Sequence, residues 1–147
     1  MSLRTSLALL FLCLTALPLG ATDIVWPTTM DRTAIRTPQD YLQPTVSGKT
    51  ESALFGMVRE DGKRFHEGID IRPAKTNADG EALDLVLAAI DGQVAYLNTN
   101  VNGPYGRYVV LHHGAAEIPV YTLYAHLAKI EPSLKPTQPV RRGTVIG

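Results

Sequence analysis

Asp91-Gly-Gln-Val-Ala-Tyr-Leu-Asn98, followed after a break by Arg107-Tyr-Val-Val-Leu-His112, is the stretch that decides the fold. Both runs are short and rich in β-branched and aromatic residues, and Gly, Asn, Asp and Pro punctuate them, which is the pattern of antiparallel strands. Between them, Asn102-Gly103-Pro104 joins a residue free to adopt positive φ to one whose φ is fixed. Asp91-Gly92 offers the same freedom ahead of the first run, and both read as hairpin signals. Working outward, Val120 to Leu127 reads as a further strand and Ile69 to Arg72 as an earlier one. The expected class is mainly β, a small antiparallel sheet domain.

Upstream, Glu81 to Ile90 is a nearly continuous apolar run that suits a buried strand or a short helix, and a mostly β reading is taken. Thr22 to Thr50 carries Pro27, Pro38 and Pro44 with little periodicity and reads as an extended leader laid over the domain. At the start, Arg4 followed by the apolar run Leu7 to Leu17 has the form of a secretory signal peptide, with cleavage expected after Ala21. That run falls well short of the roughly 20 residues that span a bilayer, so no stable membrane insertion is expected after cleavage. The organisation is therefore a signal peptide at 1–21, a leader at 22–52 and one domain at 53–147. Cleavage would remove Cys13, the one cysteine, so a secreted product must rely on a hydrophobic core rather than disulfides. Fourteen basic and fourteen acidic residues balance, and no Lys/Arg stripe stands out, which argues against nucleic-acid binding. Oligomeric state is left open.

Arg64-Phe-His66-Glu-Gly68-Ile-Asp70-Ile places an imidazole and a carboxylate four residues apart, two donor types that zinc accepts at about 2 Å. On a straight strand they would stand about 13 Å apart, too far to hold one ion. Gly68, lacking Cβ, permits the bend that would fold His66 toward Asp70. A solvated polar loop ahead of a strand accounts for the same residues. Glu67 is not the general base of an H-E-x-x-H helix, because the second histidine and the helix are missing, and solvated surface is expected for it.

Alternation along Val120-Tyr-Thr-Leu-Tyr-Ala-His126-Leu puts Thr122, Tyr124 and His126 on one polar face, with Leu123, Ala125 and Leu127 on the core face. His126 could be exposed, structurally hydrogen-bonded or functional.

Taken in order, the fragments resemble those of lysostaphin/LytM-type zinc metallopeptidases. They are Phe55-Gly56 with Arg59, His66 to Asp70, Gly92-Gln93-Val94, Tyr105-Gly106-Arg107-Tyr108-Val109, Tyr124-Ala125-His126-Leu127 and Val140 to Gly147. The resemblance covers about residues 53 to 147 and implies a fold of the duplicated-hybrid, or barrel-sandwich hybrid, type. It implies one zinc ion, with His66 and Asp70 as metal ligands and His126 as a catalytic histidine that activates water or stabilises an oxyanion. It also implies a secreted or periplasmic enzyme that hydrolyses peptide bonds of peptidoglycan. In that family a P-H-x-H-F segment follows V-x-x-G-x-x-I-G, bringing a second catalytic histidine and the third ligand. The sequence given stops at Gly147, ahead of that segment. The expectation is thus a domain incomplete at its C-terminus, holding metal weakly and exposing an unpaired sheet edge. His112 and His113 point to opposite faces by alternation, and neither is expected to replace the missing ligand. The alternative is a non-catalytic LytM-like module that binds peptidoglycan or regulates another hydrolase. A biotinyl- or lipoyl-type carrier shares the last motif, but no suitable lysine in a tight hairpin accompanies it.

Overall fold

Alternate burial along Tyr108–His113, where Val109, Leu111 and His113 face inward, gives the molecule its central strand. The computed structural model describes residues 23–114 and 119–147. The expected signal peptide at 1–21 and the leader's first residue, Thr22, lie outside the described residues. In chain order the strands are β1 (Gly56–Arg59), β2 (Arg64–His66), β3 (Gly92–Asn98), β4 (Tyr108–His113), β5 (Val120–Tyr124) and β6 (Pro139–Val140). β1 and β2 form one antiparallel hairpin, and the other four form an antiparallel sheet in the order β5-β4-β3-β6. The mainly β expectation therefore holds. No helix among the described residues exceeds a single short 3-10 turn (Arg32–Ala34, Pro38–Asp40, Thr50–Ala53), and none could cross a membrane.

Gly103 takes positive φ (106°) in the β3–β4 connection, as its hairpin reading requires. Gly92 does not use that freedom. It heads β3 in extended backbone, where a Cβ would stand 2.6 Å from His113 Nδ1 and 2.7 Å from the His112 carbonyl oxygen, so the position needs space rather than φ. Beside it, the Asp91 carboxylate accepts from the Arg142 N–H (2.7 Å) and from Arg141 Nη1 (3.1 Å), tying the start of β3 to the end of β6. Those bonds, the backbone one first, hold the Asp91 carboxyl below its ordinary range.

The run from 81 to 90 is extended, not helical. Its backbone lies between two others: Val25 N–H and Thr29 N–H donate to Ala89 and Leu85 on one side, and Ile146 N–H and Gly143 N–H donate to Val86 and Ala88 on the other. Ala88 and Ile146 are fully buried there and join Val94, Val109, Leu111, Leu127 and Val140 in the main core. Tyr124 closes this core from β5, with its hydroxyl accepting from Ala89 N–H at 2.8 Å.

Two expectations about strands fail. Ile69 to Arg72 is not a strand, since no neighbouring strand runs beside it. Its backbone instead makes one bridge, Ile71 to Leu42, with Asp70 N–H bonded to Ala53 and Arg72 N–H to Tyr41. The Val120 strand also ends at Tyr124, short of Leu127, and its faces are reversed: Thr122 and Tyr124 turn inward while Leu123 is 47% exposed. The inward slot is wide enough for a tyrosine whose hydroxyl finds a backbone partner, so the apolar residue is the one left outside.

Candidate metal and catalytic site

Gly68 lies in a bend between β2 and Asp70, and the turn brings His66 Nε2 to 3.3 Å from Asp70 Oδ1. Both side chains are largely buried, 13% and 26% exposed. The other ring nitrogen of His66, Nδ1, lies 2.8 Å from the Leu54 carbonyl oxygen. A carbonyl can only accept, so Nδ1 carries the proton, which leaves the Nε2 lone pair as the ring's one acceptor. Two donors on a tetrahedral zinc, each at about 2.0–2.1 Å, stand about 3.3–3.4 Å apart. The separation, the donor chemistry and the fixed tautomer all fit such an ion. Among the described residues no group of three His, Cys, Asp or Glu side chains converges on one point.

Arg59 enters the same pair. Its Nη2 donates to His66 Nε2 at 2.9 Å and also to Asp70 Oδ2, while its Nε donates to the Ser52 carbonyl at 3.3 Å. Nothing in the spacing of H-x-x-x-D points to this contact. The signal that could have found it is Asp61-Gly62, a turn that folds β1 onto β2, pairs Gly56 with His66 and carries Arg59 beside the site.

A groove opens alongside, lined among others by His66, Asp70, Tyr105 and His126 and by the exposed apolar side chains of Leu85 and Leu123. His126 is exposed and lies past the end of β5 with φ of 57°, a left-handed conformation that costs a non-glycine residue on the order of 1 kcal/mol. Its N–H is held by the Tyr105 carbonyl at 2.9 Å, and the next residue, Leu127, returns to the core with its N–H on Arg107. The reversal at His126 thus lets one short segment put an imidazole in the groove and a leucine in the core.

Tyr105 connects the segment of His66 to that of His126. Its hydroxyl donates to Glu67 Oε2, and that bond raises the Tyr105 pKa from its ordinary value. Glu67 is solvent-exposed, as expected, but it has a specific partner that the sequence did not reveal.

The remaining histidines are occupied elsewhere. His113 is buried, with Nδ1 2.8 Å from the Asp91 carbonyl oxygen and Nε2 2.8 Å from Thr122 Oγ1, so both nitrogens are engaged. His112, on the opposite face, packs against the Tyr121 ring at 4.9 Å.

Against protein-family models, the one for Peptidase family M23 matches residues 64–147, more than half of the chain. Comparison with curated proteins and with solved structures gives no match.

Proposed function

The chain belongs to peptidase family M23, and from that premise we propose that it acts as a zinc-dependent metalloendopeptidase on the peptide bonds of peptidoglycan. Membership supplies the peptidase-type function and the general dependence on metal; zinc, the substrate and the residue roles are our reading. The observation that carries it is the facing pair of His66 Nε2 and Asp70 Oδ1, 3.3 Å apart beside a groove that also exposes His126.

In this reading His66 and Asp70 hold the ion, with the Leu54 carbonyl fixing the ring that His66 presents. A bound zinc would polarise the scissile carbonyl and lower the pKa of its water. His126, in the same groove, handles the proton or the developing negative charge, and its strained backbone suits a residue held in place for that task. The groove's exposed leucines give an extended peptide an apolar surface to lie on. The signal-like residues 1–21 support secretion to the cell envelope, where this polymer is found.

Zinc titration of the purified protein tests the site. Saturable binding is expected, at least tenfold weaker in His66→Ala and in Asp70→Asn; equal binding in all three proteins would remove the metal site from the proposal. Incubation of the zinc-loaded protein with peptidoglycan sacculi should then release free amino groups, and His126→Ala should abolish the release.

A second reading is a non-catalytic module that binds peptidoglycan or regulates another hydrolase. Cosedimentation with sacculi without amine release at saturating zinc would select this reading over the enzyme.

A further inference from the structure

Among the described residues, Arg59 is the cation that touches both candidate metal ligands, and the geometry of its contacts constrains how metal can enter. His66 Nδ1 is committed to the Leu54 carbonyl, so Nε2 has a single lone pair, and Arg59 Nη2 donates into it from 2.9 Å. A metal ion needs that same lone pair. Asp70 is different because it has two oxygens: Oδ2 accepts from Arg59, while Oδ1 is the oxygen that faces His66. The guanidinium is anchored from behind by the Ser52 carbonyl, and Ser52 is itself buried, with its hydroxyl donating to the Lys49 carbonyl at 2.6 Å. With 19% of its side chain exposed, Arg59 brings its permanent positive charge into a partly desolvated place.

We propose that Arg59 is the site's internal cation, bridging Asp70 and His66 until a divalent metal takes the histidine nitrogen, so that this arginine sets how tightly metal is held. Binding then exchanges one donor for another at Nε2. Asp70 Oδ2 stays with the guanidinium, whose nearby charge opposes the ion. The consequence has a definite sign. An arginine that merely orients Asp70 would strengthen metal binding, and its loss would weaken affinity about 10–100-fold, as is usual for outer partners of metal ligands. An arginine that competes for the ligand weakens binding, and its loss must strengthen it. The protein without metal should move the other way, because Asp70 then lacks its counter-charge.

This inference rests on the metal site proposed above, so the test separates the two. Zinc affinity is measured for the wild type, Arg59→Gln and His66→Ala, alongside the melting temperature of each after chelator treatment. Arg59→Gln is expected to bind zinc at least tenfold more tightly than the wild type while melting at a lower temperature in chelator. Equal or weaker zinc binding by Arg59→Gln, with His66-dependent binding intact in the wild type, overturns the role of Arg59 and leaves the metal site standing. Absence of His66-dependent binding in every protein overturns both. Should Arg59→Gln fail to fold, the wild type alone decides by nitrogen NMR. Zinc must then shift the Arg59 side-chain resonances together with the His66 ring, and a shift of the ring alone refutes the exchange.

Discussion

Tyr105 joins the segments of His66 and His126 with two different atoms. Its hydroxyl donates to Glu67, next to His66, and its carbonyl holds the N–H of His126. The first bond has a testable pH signature. The neutral phenol donates to the Glu67 carboxylate, whereas a phenolate would be repelled by it, so the bond holds the Tyr105 pKa above its ordinary value of 10.0. A pKa raised by folding adds stability that is present below the ordinary value and is lost as pH rises through the raised one. Glu67→Gln removes the negative charge, and Tyr105 should then titrate closer to 10.0, as followed by NMR of its ring carbon with Tyr105→Phe for assignment. An unchanged titration curve would mean that hydroxyl and carboxylate do not meet in solution. At this scale the sequence was informative about chemistry and silent about contacts. His66 and Asp70 could be singled out because their donor types and Gly68 sit within five residues. The partners Leu54, Arg59 and Tyr105 reach the site only through folding.

At the scale of elements, the sharpest constraint is the meeting of β3 and β4 at Gly92. The His113 ring and the His112 carbonyl fill the space a side chain would need, and one of these obstacles is backbone that cannot rotate away. Gly92→Ala should therefore destabilise the protein by about 1–3 kcal/mol, the usual cost of overpacking, read from the midpoint of urea unfolding. A change below about 0.5 kcal/mol, the range of an ordinary surface substitution, would show that the approach is looser than described. The strands themselves were legible to differing degrees. Gln93 to Asn98 and Arg107 to His112 were found almost to the residue, because β-branched runs flanked by Gly and Pro carry their own signal. The β1–β2 hairpin was missed although Asp61-Gly62 marks its turn, since its strands are short and mix charges with apolar residues. Ile69 to Arg72 has the composition of a strand but no strand beside it, and pairing is a tertiary property that composition cannot supply. The reversed faces of β5 share that cause. Alternation says that Tyr124 and Leu123 oppose each other; which one is buried depends on Ala89 offering its N–H to the tyrosine.

Across the whole molecule, residues 23–52 are bound into the domain at two places that bear on the site. Val25 to Thr29 hydrogen-bonds along the 85–89 segment, which on its other side carries the chain up to Gly147. Further on, Leu42 is fully buried apart from the main core, and the backbone on either side of it clamps the loop of the candidate ligand Asp70: Gln43 N–H donates to the Asp70 carbonyl at 2.9 Å, and the Tyr41 carbonyl accepts from Arg72 at 2.7 Å. Asp70 N–H in turn donates to Ala53. The carboxylate that faces His66 is thus held in place by a segment whose sequence reads only as irregular, because irregular backbone can be fixed by hydrogen bonds and one buried side chain without any periodicity to announce it. Leu42→Ala should cost about 2–5 kcal/mol of unfolding free energy, the range for a truncated core leucine. It should also weaken zinc binding, because the loop that presents Asp70 loses the packing behind it, although Leu42 is not itself a donor. Gly92→Ala supplies the comparison, since it strains the sheet without touching this clamp. If both variants lose stability but only Leu42→Ala loses zinc affinity, the segment at 41–43 is part of the metal site's scaffold. Equal loss of affinity in both would assign the effect to general destabilisation, and unchanged affinity in Leu42→Ala would show that the ligand loop keeps its shape without this support.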